Sequence, residues 1–171
     1  VQPRFVTSVR SALSQGDVMP NFEYGTSFDI GGQVMPSYSL ERFRQDEARY
    51  GEYEHLVIVF GAGWCGTCEH VLANLEQRAD MFRATRTLFA FVMDEQQDRT
   101  PARSAAANRY VRQHISALPM LRLGAQDRRM TDRLITHFDG IEAFPAMVII
   151  RRSDATIMNE PSTIEPRALL A

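Results

Sequence analysis

The sequence predicts an α/β domain: a central mixed β-sheet flanked by helices, with an N-terminal β-hairpin in front. Three observations carry that expectation. Strand-length apolar runs at residues 56–61, 88–93 and 144–150 read as strands buried on both faces. Between the first two, Val71, Leu72, Leu75, Ala79 and Phe82 fall at helical spacing. Between the last two, the alanine-rich stretch 102–115 is strongly helix-forming. Strands alternating with helices define the class.

Near the N-terminus, Phe5, Val6, Val9 and Leu13 predict a short amphipathic helix over 3–15, stopped by Gly16. Residues 17–40 carry glycines and prolines among Phe22, Tyr24, Phe28, Ile30 and Val34, the pattern of a β-hairpin. Ser39 caps a helix over 40–50 that Gly51 ends. The helix after Cys65 runs to about residue 84, and the strand 88–93 comes next. Polar residues 95–101 form a loop before the helix 102–115. A short strand is expected at 118–123 and a short helix at 130–138. The strand 144–150 is entered through Pro145 and pairs with an edge strand at 156–158. Ser162 and Glu165 have capping-box spacing, so a terminal helix starts there.

At 171 residues the chain suits one domain with its own core. Its net charge of −2 gives no electrostatic reason for a nucleic acid or an anionic membrane as partner. No apolar run approaches the roughly 18 residues that span a bilayer. All 19 basic residues are arginine, so no ammonium group is present to tune a thiol.

The two cysteines of the chain stand three apart, in Trp64-Cys65-Gly66-Thr67-Cys68, directly after the first apolar run. A strand that turns into a helix here puts Cys65 at a helix N-terminus. Unpaired N–H groups and the helix dipole favour thiolate there. Cys68, one turn on, is close enough to close a disulfide, so the pair can exchange two electrons. Cys65, nearer the helix start, is expected to be the more exposed thiol and the nucleophile. A purely structural disulfide in so small a loop would restrain the unfolded chain little.

A strand, W-C-x-x-C, a helix and later a proline opening an apolar strand resemble the thioredoxin fold. Gly16, Pro20 and Phe22 resemble the G-x-x-x-P-x-F entry of the TlpA-like (TlpA/ResA/CcmG) branch of extracytoplasmic thiol–disulfide oxidoreductases. An extra helix and strand at about 102–123 look like that branch's insertion. The resemblance implies a single thioredoxin-like domain over 1–171, with 1–55 as an N-terminal extension and 56–171 as the core. It implies that Cys65 and Cys68 are catalytic. Trp64, Gly66, Thr67, Phe144 and Pro145 would support the site and dock substrate, with Pro145 in cis and Phe144 offering backbone. The implied partners are protein thiols or disulfides and an upstream redox protein. The implied location is extracytoplasmic, in a bacterial periplasm, with any signal peptide or membrane tether outside this sequence. No cofactor or metal is implied.

Departures from the family matter too. The buried aspartate of thioredoxins maps to Val59, the glutamate frequent in the TlpA-like branch to Val71, and the helix-kinking proline to Ala73. The proton acceptor for Cys68 is therefore not visible in the sequence: Glu69 and His70 lie nearby but point elsewhere on an ideal helix, and Asp94 or Glu95, at the end of the second strand, is the weaker candidate. The Gly66-Thr67 dipeptide holds no histidine, so a reductase or isomerase is expected more than a strong oxidant.

Two other chemistries compete. Two thiolates with His70 could bind copper, as in a copper chaperone, but a closed zinc site wants four ligands and His55, His114 and His137 are scattered. Peroxiredoxins share the fold, but they place threonine and proline before their reactive cysteine, where this chain has Gly61-Ala62-Gly63-Trp64.

Overall fold

The structure is a computed structural model that describes residues 13–24, 26–35, 38–61, 65–93, 101–124, 145–161 and 169. Its main sheet is built around β5 (His55–Gly61), whose residues 56–61 are all buried. β6 (Thr87–Met93) and β7 (Met120–Gly124) run parallel to it in succession, and β8 (Ala146–Arg151) pairs antiparallel on its other side. The N-terminal strands β2 (Thr26–Phe28) and β3 (Val34–Met35) extend the sheet beyond β7, giving the order β3-β2-β7-β6-β5-β8.

Alternation along each strand feeds two separate cores. Leu56, Ile58 and Phe60 face one side and Val57 and Val59 the other, and β6 and β8 divide in the same way. The first side is covered by Met19, Phe22, Tyr24, Tyr38, Leu40, Phe43 and Tyr50 from the N-terminal segment. The second is covered by three helices: α3 (Gly66–Gln77), α4 (Ala79–Ala84) and α5 (Pro101–His114). A sheet covered on both faces explains why its strands read as unbroken apolar runs.

The hairpin expected over 17–40 is two nested antiparallel pairs, β1 (Glu23–Tyr24) with β4 (Tyr38–Ser39) and β2 with β3. The turn between β2 and β3 closes on Asp29, whose side chain accepts from the Gln33 N–H at 2.8 Å, and Gly32 adopts φ +87°. Ser39 caps α1 (Leu40–Gln45) as expected, its hydroxyl accepting from the Arg42 N–H at 3.0 Å. The predicted helix 40–50 is broken at Asp46, which leaves helical geometry to cap α2 (Glu47–Tyr50) through the Arg49 N–H. The helix after Cys65 is likewise divided, at Arg78.

Two expectations shrink. Residues 13–15 are not helical; the chain turns at Gly16 and its N–H bonds the Ile157 carbonyl. The edge strand at 156–158 is reduced to isolated bridges, Ile157 with Ile150 and Thr156 with Val18. Beyond it, the buried Asn159 amide takes over as a substitute strand, accepting from Ile149 N–H and donating to Met147 O. The rest of the 3–15 helix, residues 95–100 of the loop, the 130–138 helix and the helix starting at Ser162 lie outside the described residues.

One side chain ties the site-bearing helix to the segment just after α5. The Glu76 carboxylate, near the end of α3, accepts from the N–H groups of Ser116, Ala117 and Leu118, at 2.8 Å from Ser116 and 2.9 Å from Leu118. Arg83 donates to the Ala117 carbonyl from α4. Glu76→Ala is expected to lower unfolding free energy by about 2–3 kcal/mol, the scale of charge-assisted bonds to a backbone. Denaturant titration checks this, and an unchanged midpoint would mean that water replaces the carboxylate.

Candidate active site

β5 delivers the chain to the C-terminal end of the parallel strands, where Gly61 pairs with Met93. Four residues later Cys65 occupies the N-cap of α3, with φ −91° and ψ 104°. Its sulfur accepts from the Cys68 N–H at 3.2 Å, a donor of the first turn that the Cys65 carbonyl shares at 3.2 Å. Cys65 and Cys68 are joined as a disulfide, with their Cα atoms 5.3 Å apart. The expected cysteine pair at a helix N-terminus is therefore present, and in its oxidised form.

Exposure orders the two sulfurs. Cys65 is 7% exposed and Cys68 1%. Cys65 is the more accessible, as expected, yet it is far less open than a thiol at the tip of a sheet. Gly66 and Thr67 are exposed, and a methyl group added to Gly66 would meet nothing within 4 Å. The dipeptide between the cysteines thus leaves an open approach.

Pro145 is buried immediately before β8. Ala146 pairs with Phe60, so the next step of the register sets Pro145 opposite Gly61, at the cysteine end of the sheet. Trp64, Phe144, Asp94 and Glu95 lie outside the described residues. His70 and Glu69 are on the exposed side of α3, as an ideal helix predicts. Among the described residues no group of three or more His, Cys, Asp or Glu side chains could hold a metal ion.

The floor beneath Cys68 is apolar and tight. A methyl group at Gly61 would lie 2.8 Å from the edge of the Phe91 ring and 3.3 Å from Cys68 Sγ. Phe91 in turn stacks on Tyr110 of α5, ring centres 6.3 Å apart and planes 25° apart. The sequence flagged neither Phe91 nor Tyr110; their spacing reads as ordinary core, and only the tertiary packing sets Phe91 beside Cys68 and Tyr110 against Phe91.

No family model matches the sequence, and no curated protein matches it. Solved structures do. The thioredoxin domain of a thiol-disulfide oxidoreductase from Bacteroides vulgatus superposes with a TM-score of 0.56 at 15% identity, covering 87% of this chain and 89% of that one. The fold is thioredoxin-like. An exposed lipoprotein thioredoxin from Streptococcus pneumoniae gives 0.55 at 15% identity, over 88% of this chain and 96% of that one. A reduced 2-Cys peroxiredoxin from Plasmodium vivax gives 0.62 at 12% identity, over 92% and 93%. The likeness spans oxidoreductases and a peroxidase alike, so the chemistry of this chain lies in its own residues and not in the fold.

Gly61→Ala tests the tight floor. Overpacking against a fully buried ring is expected to cost about 1–3 kcal/mol of stability. A variant as stable as the parent chain would show that Phe91 swings aside freely.

Proposed function

We propose that this protein is a thiol–disulfide oxidoreductase acting on protein substrates through Cys65 and Cys68. The observation that carries the reading is a redox-competent pair whose outer sulfur is the N-cap of α3. In the reduced form the same N–H and the helix dipole favour the Cys65 thiolate. That thiolate attacks a substrate disulfide and forms a mixed disulfide. Cys68 then attacks Cys65, and the substrate leaves reduced.

The other site residues fall into supporting roles in this proposal. Gly66 and Thr67 leave the approach open. Pro145, in the cis form, and Phe144 flank an extended substrate segment, and Trp64 shields the disulfide. The 171 residues work as one thioredoxin-like unit. With no histidine between the cysteines, the chain acts as a reductase or isomerase, kept reduced by an upstream redox protein. It belongs with the extracytoplasmic TlpA-like branch and works in a bacterial periplasm. The surface-exposed lipoprotein among its structural neighbours supports an extracytoplasmic location. Among the described residues no helix is long and apolar enough to cross a membrane.

Cys68→Ser is expected to trap mixed disulfides with protein substrates, seen as adducts on non-reducing gels that dithiothreitol removes. Cys65→Ser should trap none and should lose turnover of a model protein disulfide. Adducts on Cys65→Ser alone would reverse the nucleophile. A parent chain that turns over no disulfide would end the enzyme reading.

A further inference from the structure

The end of the sheet opposite the cysteines carries a cleft of about 530 Å³ that the disulfide chemistry does not use. Its walls bring together arginines from three distant parts of the chain: Arg44 of α1, Arg86 just before β6, and Arg151 and Arg152 where β8 ends. His55, the first residue of β5, lies at the same cleft, so about 20 Å of strand separates it from Gly61.

Like charges gathered in one place repel, so these guanidiniums must be held there. Backbone carbonyls do much of the holding. Arg44 Nε donates to the Arg152 carbonyl and Arg152 Nη2 to the Arg44 carbonyl, each at 3.0 Å. Arg44 Nη2 also reaches the Ser153 carbonyl at 2.9 Å, and Arg152 Nε the Phe43 carbonyl at 2.7 Å. Arg86 donates to the carbonyls of Gly51 and Glu52. A carbonyl fixes the direction of a guanidinium without cancelling its charge. Carboxylates cancel part of it: Glu54 pairs with Arg86, Asp154 with Arg151 and Glu47 with Arg152, at 2.9–3.0 Å. Those carboxylates are 49–75% exposed, so water competes with each pair. Among the described residues Arg44 makes no ion pair, and Arg151 uses only Nη1 on Asp154.

The backbone is strained at the same place. Arg86, at φ 56°, and Ala155, at φ 61°, are the non-glycine residues with left-handed backbone among the described residues. Ala155 closes the turn that carries Arg151, Arg152 and Ser153, its N–H bonded to the Arg151 carbonyl at 2.8 Å. A glycine would relieve position 86, yet the chain keeps there a side chain that reaches the cleft.

We propose that this cleft binds a small anion carrying a phosphoryl or pyrophosphoryl group. Arg44 and Arg151 supply unused donors, and Arg86 and Arg152 add charge. Shape favours a phosphoryl group over a carboxylate. A carboxylate offers two oxygens in one plane, whereas a tetrahedral phosphoryl group offers up to three, which suits guanidiniums arriving from separate segments. The cleft also falls within the roughly 300–1,000 Å³ of small-molecule sites, with room for more than one phosphate. The proposal goes beyond the oxidoreductase reading and does not depend on it.

Calorimetric titration of the whole chain with inorganic pyrophosphate, at constant ionic strength, is the test. The parent chain is expected to bind it saturably at one site. Arg151→Gln loses only an exposed ion pair of the folded chain, and should weaken binding about tenfold, the worth of a charge-assisted hydrogen bond. Asp154→Asn keeps the oxygen that accepts from the Thr156 N–H but removes the charge facing Arg151. It should tighten binding about two- to threefold, the scale of an exposed ion pair. No saturation of the parent chain by millimolar pyrophosphate, or unchanged affinity in Arg151→Gln, would overturn the site. Equal affinity for acetate would overturn the assignment to a phosphoryl group.

Discussion

The hydrogen bond from the Cys68 N–H to the Cys65 sulfur is the interaction on which the site depends. It makes one cysteine the cap of α3, and the proposed mechanism puts the thiolate on that sulfur. An ordinary helix start fills that place with a serine or aspartate oxygen. Here a sulfur does so, and the N–H groups of the first turn become the electrostatic support for a thiolate. The partner sulfur, one turn on, is left in the apolar layer between helix and sheet. In the proposed mechanism, the difference between the reactive and the resolving cysteine follows from helix geometry.

The rest of the fold keeps that helix start where it is. β5 is hydrogen-bonded on both sides along its length and buried on both faces, so its C-terminal end is a fixed point. Gly61 lets the chain leave the sheet between Phe91 and Cys68, where no larger residue fits without displacing one of them. Below the site, Glu76 and Arg83 clamp the connection from α5 into β7 and so tie α3 and α4 to the segment that follows α5. The N-terminal strands are part of the same framework, because β2 pairs with β7 and closes one side of the sheet.

The strands and the cysteine pair were legible in the sequence because each depends on near neighbours along the chain. Unbroken apolar runs need only a sheet covered on both faces, and the C-x-x-C turn needs only a strand before it and a helix after it. The breaks at Asp46 and Arg78 were not legible, since helical spacing continues through both. Asp46 gives up helical geometry for a cap, a choice that periodicity does not reveal. Buried polar residues were the least legible. Arg122 stands in the strand expected at 118–123 with nothing in the sequence to mark its role, yet it lies buried with its guanidinium 4.2 Å from the Phe28 ring centre and its Nε bonded to Asn108. Arg152, one of two adjacent arginines where β8 ends, braces Glu47 and the Phe43 carbonyl. In each case the partner comes from a distant part of the chain, and only the packed structure brings the two together.

Activation of Cys65 by the start of α3 is tested most directly by the pH dependence of Cys65 alkylation in the reduced chain. A sulfur that caps α3 should titrate below the ordinary thiol value of about 8.5. The expected midpoint is lower than that, with Cys68 reacting far more slowly throughout. A midpoint at or above it, or equal reactivity of the two thiols, would contradict the claim that the helix start activates Cys65.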